Sequence, residues 1–194
     1  MTQTTRPLRA DAQRNRDRII AAATQAFAEE GENVALETIA ARADVGVGTF
    51  YRHFPNREAL VIAAYRQEVD ALCAAAPDLL ASQPADAALK AWTERFADYI
   101  AAKRSMADAL CTVAAAETPL FAEAQARILS ALKLLLEAGA ADGTLRPDAS
   151  AEDLQRVLSA IWYLPGGAQW REDVSRMLNL VLDGLRYGIT PVTR

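Results

Sequence analysis

The chain is poor in the residues that form disulfide frameworks, metal sites and catalytic dyads. Its 194 residues include only two cysteines and one histidine. Cys73 and Cys111 have no cysteine or histidine close to them in the sequence, so neither a structural disulfide nor a metal site is indicated, and no cofactor is expected. Reduced cysteines are typical of the cytoplasm, which is the location we predict.

Long apolar runs and targeting signals are missing as well. The longest stretch without a charged residue, residues 157–170, has 14 residues and contains Pro165, Gly166 and Gly167. A helix that crosses a bilayer needs about 20 apolar residues. No apolar segment follows the basic N-terminus, which argues against a secretory signal. We therefore expect no membrane partner.

Glycine, proline and alternating β-branched residues are also scarce. With 9 glycines and 8 prolines the chain is neither collagen-like nor proline-rich, and 52% hydrophobic against 24% charged residues excludes charge-driven disorder. Alanine, the residue with the highest helix propensity, occurs 42 times. The composition therefore predicts an all-α fold, which the breaks along the chain divide into about nine helices.

Capping and helix-breaking residues indicate where the first helices begin and end. The first helix is expected over residues 12–30, and the second between Asn33, as its N-cap, and residue 43. A third helix should span residues 47–53. A fourth should follow Asn56 as N-cap and end at Pro77, because proline interrupts a helix.

The rest of the chain is predicted to be helical too. Pro84 marks the start of one helix, and Thr118 and Pro119 are expected as the N-cap and first residue of a long helix that ends near residue 140. Ser150 and Asp153 resemble a capping box with aspartate in place of glutamate. The last helix should end near residue 187.

Two of the predicted helices are short and are joined by the three-residue turn Asp44-Val45-Gly46. This is the plan of a helix-turn-helix, whose second helix enters the major groove of DNA. Gly46 and Gly48 would let the backbone approach a phosphate or a base edge closely. The spacing alone fits equally well an ordinary corner between two helices whose polar residues are solvated.

Basic residues are concentrated at the N-terminus. The first 18 residues carry five arginines and two aspartates, although the net charge of the chain is −4. A basic segment on an otherwise acidic protein is typical of a contact with a polyanion, and a solvated tail is the alternative.

The segment around the turn also resembles a known family. Residues 39–60, IAARADVGVGTFYRHFPNREAL, are similar to the N-terminal signature of TetR-family transcriptional regulators. The resemblance covers residues 15–65. It implies a DNA-binding domain over 15–75 with the helix-turn-helix at about 35–54, and a C-terminal helical ligand-binding and dimerisation domain over 84–190. The basic N-terminal segment would form an arm over residues 1–14.

The resemblance implies which residues contact double-stranded operator DNA. From the third helix, Thr49, Tyr51 and His53 would contact phosphates or bases. At the start of the fourth helix, Arg57 would hold a phosphate. Arg52 is the predicted base reader, because arginine paired with guanine is the commonest specific contact. Arg42 is explained equally well as a base or phosphate contact and as a solvated surface residue. The predicted DNA-binding set is Arg42, Gly46, Val47, Gly48, Thr49, Tyr51, Arg52, His53 and Arg57.

Three positions depart from the family pattern. Ala35 stands where the family often has a phosphate-binding threonine, Asp44 where glycine is usual, and Gly46 where serine often caps the third helix. Two hydroxyl groups are thereby lost, so we expect arginines of the basic arm to replace their phosphate contacts. These arginines are Arg9, Arg14 and Arg16.

The resemblance further implies a homodimer and a small-molecule effector. A mainly apolar pocket would favour an apolar or aromatic compound. Its predicted lining residues are Trp92, Phe96, Tyr99, Met106, Cys111 and Phe121. The predicted dimer interface across a two-fold axis consists of Leu154, Val157, Ile161, Trp162, Met177, Val181 and Leu185, with Tyr163 and Trp170 as further aromatic candidates. For both sets, an intramolecular core is the alternative.

The function these residues favour is that of a repressor released from a palindromic operator by its effector. A helical enzyme competes poorly, because the single histidine, His53, lies in the DNA-reading segment and no nucleophile elbow, phosphate loop or Glu-x-x-His pair occurs. A purely architectural helical dimer is the third possibility. Sequence-specific DNA binding would distinguish the regulator from it.

Overall fold

Helices form all the regular structure in the residues that the computed structural model describes, which are 5–31, 33–114 and 119–186. There are nine α-helices and one 3₁₀ helix in these ranges, so the predicted all-α fold is confirmed. The residues group into two compact units. The first unit takes in the described residues up to 68 together with 101–114, and the second takes in 69–100 and 119–186.

The first unit is assembled around apolar residues from its four N-terminal helices. Ile20, Ile39, Phe50 and Leu60, one from each of these helices, are all less than 5% exposed. The helices that contribute to this unit are α1 (Thr5–Glu30), α2 (Leu36–Arg42), α3 (Val47–His53), the start of α4 (Arg57–Ser82), the end of α5 (Ala85–Ser105) and α6 (Ala107–Ala114).

The second unit has an aromatic centre. Trp92 is fully buried, its ring stacks on Phe96 with centroids 5.8 Å apart, and its indole N–H donates to the carbonyl of Leu72 at 2.9 Å. Leu132 and Leu135 are also fully buried. Besides parts of α4 and α5, this unit contains α7 (Pro119–Asp142), α8 (Ala151–Ser159), a 3₁₀ helix (Ala160–Tyr163) and α9 (Trp170–Arg186).

Two helices begin elsewhere than the sequence predicts. α1 starts at Thr5 and not at residue 12, so most of the predicted arm is helical. Pro7 is compatible with this start, because the first turn of a helix leaves its N–H groups unpaired in any case. The N-cap of α2 is Ala35, which makes no side-chain capping bond, so the expected capping by Asn33 is wrong.

The third and fourth helices test the prediction more closely. α3 spans the predicted residues 47–53, and the Asn56 side chain caps α4 by accepting the N–H of Ala59 at 2.8 Å. The expected end at Pro77 is wrong, because α4 continues to Ser82. Ala76 and Leu79 on either side of the proline are buried, and their packing offsets the cost of about 3 kcal/mol that an interior proline imposes.

The later boundaries agree with the sequence where they are described. Ser150 caps α8 by accepting the N–H of Asp153 at 3.2 Å. α7 begins at Pro119 and continues to Asp142, two residues past the expected end, whereas Thr118 and residues 187–190 lie outside the described residues. The compact units also divide the chain differently from the predicted domains, since residues 101–114 group with the N-terminal helices.

None of the helices within the described ranges is both long and apolar enough to cross a membrane. The same residues contain no cluster of three or more histidine, cysteine, aspartate or glutamate side chains placed to hold a metal ion.

Gly139 in α7 provides a test of the packing in the second unit. Leu145 is buried against it, and a Cβ added at Gly139 would come within 2.9 Å of the Leu145 Cβ. We expect Gly139→Ala to lower the free energy of unfolding by about 1 to 3 kcal/mol through overpacking, although alanine is the better helix former. Chemical denaturation would measure it.

Gly48→Ala in α3 is the matched control, because a Cβ there would meet no atom within 4 Å. It should raise the free energy of unfolding by about 0.5 to 1 kcal/mol. Changes of the same sign in both variants would contradict this account of Gly139.

Candidate nucleic-acid interface

The helix-turn-helix is closed by backbone hydrogen bonds around its turn. The N–H of Val45 donates to the carbonyl of Ala40 at 3.1 Å, and the carbonyl of Gly46 accepts the N–H groups of Thr49 and Phe50 at 2.9 Å each. Gly46 has extended backbone angles and is the N-cap of α3. Four residues, 43–46, thus separate the end of α2 from the start of α3.

Two phenylalanines hold α3 in place. Phe50, and Phe54 immediately after the helix, are both 1% exposed, and their ring centroids lie 6.2 Å apart. The guanidinium of Arg16, from α1, lies 4.8 Å from the centroid of the Phe54 ring, a cation–π distance. Arg16 therefore packs against the segment that ends α3.

The opposite face of α3 is open. Val47 is 46% exposed and Tyr51 39% exposed, while Arg52 is exposed and makes no hydrogen bond or ion pair with any residue that the structure describes. Thr49 and His53 are half-buried at the edges of this face. Arg52 is therefore available to donate hydrogen bonds to a base or a phosphate.

Gly46, the N-cap of α3, and Gly48 within the helix both lie beside open space. A Cβ at Gly46 or Gly48 would meet no atom of the chain within 4 Å, and neither residue has a positive φ. The packing of the chain itself therefore requires glycine at neither position. The missing side chains leave room for another molecule to approach the backbone.

Tyr51 is tied to α2 by a residue that the sequence analysis overlooked. Its hydroxyl donates to Oε1 of Glu37 at 2.9 Å. This bond raises the pKa of the Tyr51 hydroxyl. The pKa of Glu37 is lowered, first by its own backbone N–H and next by Tyr51, so Glu37 stays ionised at neutral pH. Only the tertiary structure brings these two side chains together.

Asp44 shows how the turn accommodates a residue where the family usually has glycine. Its φ is +51°, in the left-handed region that glycine adopts most easily. The guanidinium of Arg18 donates to the Asp44 carboxylate at 2.8 Å and to its carbonyl at 3.2 Å. Arg18 thus binds both the side chain and the backbone carbonyl of Asp44, the residue with the strained backbone.

Several of the predicted DNA contacts are engaged within the chain. Arg42 pairs with Glu29 at 2.7 Å and also with Glu30, which fits its alternative as a surface residue. The pKa of Glu29 is lowered, first by Gln25 and then by Arg42. Arg57 donates to the carbonyl of Val34 at 2.7 Å, which fastens the start of α4 to the segment before α2.

Two of the arginines expected to compensate already contact other residues of the chain. Arg14 pairs with Asp11 on the same helix, and Arg16 packs on an aromatic ring as described above. The side chain of Arg9 lies outside the described residues. For Arg14 to bind a phosphate as expected, it would have to leave Asp11 or share it.

The comparison with known proteins covers both units. Residues 19–64 match the family described as bacterial regulatory proteins, tetR family, and residues 83–187 match the C-terminal domain of SbtR-like transcriptional regulators. The chain belongs to the TetR family. TetR regulators bind operator DNA, dimerise and respond to small-molecule effectors, and they are not enzymes. The helical enzyme is thereby excluded.

Two crystal structures of TetR proteins are similar over nearly the whole chain. The regulator SCO0520 from Streptomyces coelicolor has 48% sequence identity and a TM-score of 0.81, and the match covers 88% of this chain and 98% of that one. A TetR regulatory protein from Mycobacterium vanbaalenii has 34% identity and a TM-score of 0.76, covering 93% and 100%.

A curated relative matches over a shorter segment. The transcriptional repressor KstR of Mycolicibacterium smegmatis is 43% identical over 65 residues, which are 32% of this chain and 32% of KstR. The matched segment thus spans about a third of the length of this curated TetR relative.

The six residues predicted to line an effector pocket are divided between the units. Trp92, Phe96 and Tyr99 form a buried aromatic row in the second unit, with 5.6 Å between the last two centroids, and Phe121 there is half-buried. Met106, in the first unit, is fully buried. Cys111 in the same unit is exposed, which does not fit a place inside an apolar pocket.

The residues predicted for the dimer interface fall into two groups. Leu154 and Ile161 are at most 5% exposed, as is expected of an intramolecular core, and Trp170 is 8% exposed. Val157 and Met177 are exposed, and so is Tyr163 at 84%. Trp162, Val181 and Leu185 are half-buried.

Leu180 is a further exposed apolar residue that the sequence analysis missed. It is 76% exposed, more than any predicted interface residue except Tyr163. Its position three residues after Met177 on α9 was the available signal, since residues at this spacing share a helix face.

The Arg18–Asp44 contact can be tested through stability. We expect Arg18→Ala to lower the free energy of unfolding by about 0.2 to 1 kcal/mol, the usual range for an exposed ion pair. In an Asp44→Gly background the same substitution should have almost no effect, because glycine adopts positive φ without support. Thermal and denaturant unfolding of the four proteins would measure it.

Arg14→Ala is the control for this cycle, since the described ion pair of Arg14 is with Asp11 one turn away on α1 and not with residue 44. Its effect should be independent of residue 44. An equal loss of stability from Arg18→Ala in both backgrounds would show that Arg18 does not support the turn.

Proposed function

We propose that this protein is a homodimeric repressor that binds a pseudo-palindromic operator and leaves it when a small molecule binds. The exposed face of α3 carries the proposal: Tyr51 and Arg52 project from a helix that Phe50 and Phe54 anchor. KstR, which shares 43% identity with the chain over 65 residues, is named a transcriptional repressor. We propose the cytoplasm as the place where the protein meets its operator.

Each copy of α3 would lie in a major groove. Arg52 would read a guanine, since its guanidinium has no partner among the described residues and arginine pairs with guanine through two hydrogen bonds. The remaining contacts would go mainly to phosphates, with the open backbone at Gly46 and Gly48 allowing close approach. This set also includes Val47, Thr49, Tyr51 and His53.

Arg42 and Arg57 are proposed as secondary contacts. Both are held by acceptors within the chain, so a phosphate would have to share or replace those partners. Arginine has five N–H donors, and sharing is therefore compatible with its chemistry.

A dimer is needed because two recognition helices have to reach sites one DNA turn apart, roughly 34 to 36 Å. Exposed apolar side chains on α8, the 3₁₀ helix and α9 support a two-fold interface formed by these elements. Burying them against a second copy of the chain would remove apolar surface from water, which is favourable. These residues are Val157, Tyr163, Met177 and Leu180.

The effector would be apolar or aromatic. Trp92, Phe96 and Tyr99 form a buried aromatic row, which favours an aromatic or apolar ligand, and Tyr99 would supply a polar group beside it. An effector acts only through its different affinity for the DNA-binding and released forms of the dimer.

Selection from a random duplex library tests the DNA-binding function. We expect the wild-type chain to enrich a palindrome, Tyr51→Ala to weaken binding to all sequences, and Arg52→Ala to relax one position in each half-site at a cost of about 1 to 3 kcal/mol. Arg95→Ala, an exposed arginine on α5 in the second unit, is the control and should behave as wild type. Failure of the wild type to enrich any sequence would favour an architectural dimer.

The dimer interface is tested by Leu180→Asp, measured by sedimentation. We expect the wild type to sediment as a dimer and the variant as a folded monomer, because a carboxylate on this face would have to be buried without a partner. Ala122→Asp, at an exposed position in the first turn of α7, should remain a dimer. A wild type that stays monomeric while binding its palindrome would contradict the proposed assembly.

A further inference from the structure

Glu37 lies on the DNA side of the helix-turn-helix without being part of α3. It is an exposed residue in the first turn of α2, and its carboxylate accepts the hydrogen bond from Tyr51 in the middle of α3. The two helices therefore meet at an anionic group beside the exposed face that would enter the groove.

The hydrogen bond constrains what Tyr51 can do. A tyrosine hydroxyl has one proton to donate, and here it is given to Glu37 at 2.9 Å. Tyr51 can donate to a DNA phosphate only by giving up this carboxylate. Any DNA contact through the hydroxyl is therefore an exchange of one anionic acceptor for another. By itself, this exchange adds little to the free energy of binding.

Glu37 has no ion-pair partner among the described residues, unlike three acids nearby. Glu29 and Glu30 pair with Arg42, and Asp44 pairs with Arg18. The hydrogen-bond partner of Glu37 is a neutral hydroxyl, and Arg57 has the weakest of the influences that lower its pKa. A phosphate brought to this face therefore meets a carboxylate that pairs directly with no arginine in the described part of the chain.

We propose that Glu37 is a specificity-determining residue whose carboxylate weakens binding to DNA in general more than binding to the operator. The inference rests on the proposed operator-binding function. On unrelated DNA the contacts are mainly with phosphates, which repel Glu37. On the operator the carboxylate accepts a hydrogen bond from a base amino group, N4 of cytosine or N6 of adenine, the donors that the major groove offers.

Glu37→Gln tests this, since the amide keeps an acceptor for Tyr51 and removes the charge. We expect binding to a duplex of scrambled sequence to become about three to ten times tighter, with a smaller change on the selected palindrome, so that the ratio of the two affinities falls. The gain should shrink as salt is added, because salt screens exposed charges. Fluorescence anisotropy at two salt concentrations measures both affinities.

Glu123→Gln is the matched control, with the same change of net charge at an exposed position near the start of α7 in the second unit. It should leave both affinities unchanged. Tyr51→Phe removes the donor and keeps the ring. In that background the gain from Glu37→Gln should be smaller, because no hydrogen bond to Glu37 is given up; a gain of the same size would overturn the exchange at Tyr51.

The outcomes separate this inference from the function on which it rests. A wild type that binds the palindrome no better than scrambled DNA would overturn the proposed function and the role of Glu37 together. A wild type that prefers the palindrome, with Glu37→Gln changing both affinities by the same factor or neither, would overturn the role of Glu37 alone.

Discussion

The burial of Phe50 and Phe54 is the interaction on which the DNA-binding unit depends. α3 has seven residues, and a helix this short does not persist in water without tertiary contacts. The two rings supply those contacts from one side, and the cation of Arg16 packs on the second ring. The opposite side can then consist of polar and small residues selected for what they contact outside the chain.

Charge on the proposed DNA-binding side is largely paired within the chain. Arg18 and Arg42 each bind an acid, and Tyr51 binds Glu37. At Tyr51 and Arg42, binding DNA would therefore be an exchange of partners, whereas Arg52 has no partner among the described residues to give up. This fits the absence of a strong basic excess in the whole chain, whose net charge is −4.

The sequence was most informative where local chemistry decides the structure. The bounds of α3 were predictable because Gly46 precedes the helix and Pro55 follows it, and Ser150 and Asn56 cap helices as their types suggest. The end of α4 was predicted wrongly at Pro77. The free-energy cost of a proline inside the helix is outweighed by the packing of α4, which no local signal reveals.

The candidate site was predictable in its position and less so in its contacts. The partners of Arg42 and Tyr51 lie 12 to 14 residues away in sequence, on other helices, and only the fold brings them together. Leu154 and Leu180 illustrate the same difficulty at the C-terminus. Helical spacing marks both as apolar positions, but it does not say which faces the chain's own core and which faces outward.

The Arg18–Asp44 contact limits how freely the helix-turn-helix can be transferred between proteins. Grafting residues 36–53 onto another TetR scaffold would carry the aspartate in its left-handed conformation but leave its arginine behind on α1. A chimera built at the obvious boundaries of the helix-turn-helix would therefore inherit a strained turn without its support. The exchangeable module begins within α1, at or before Arg18.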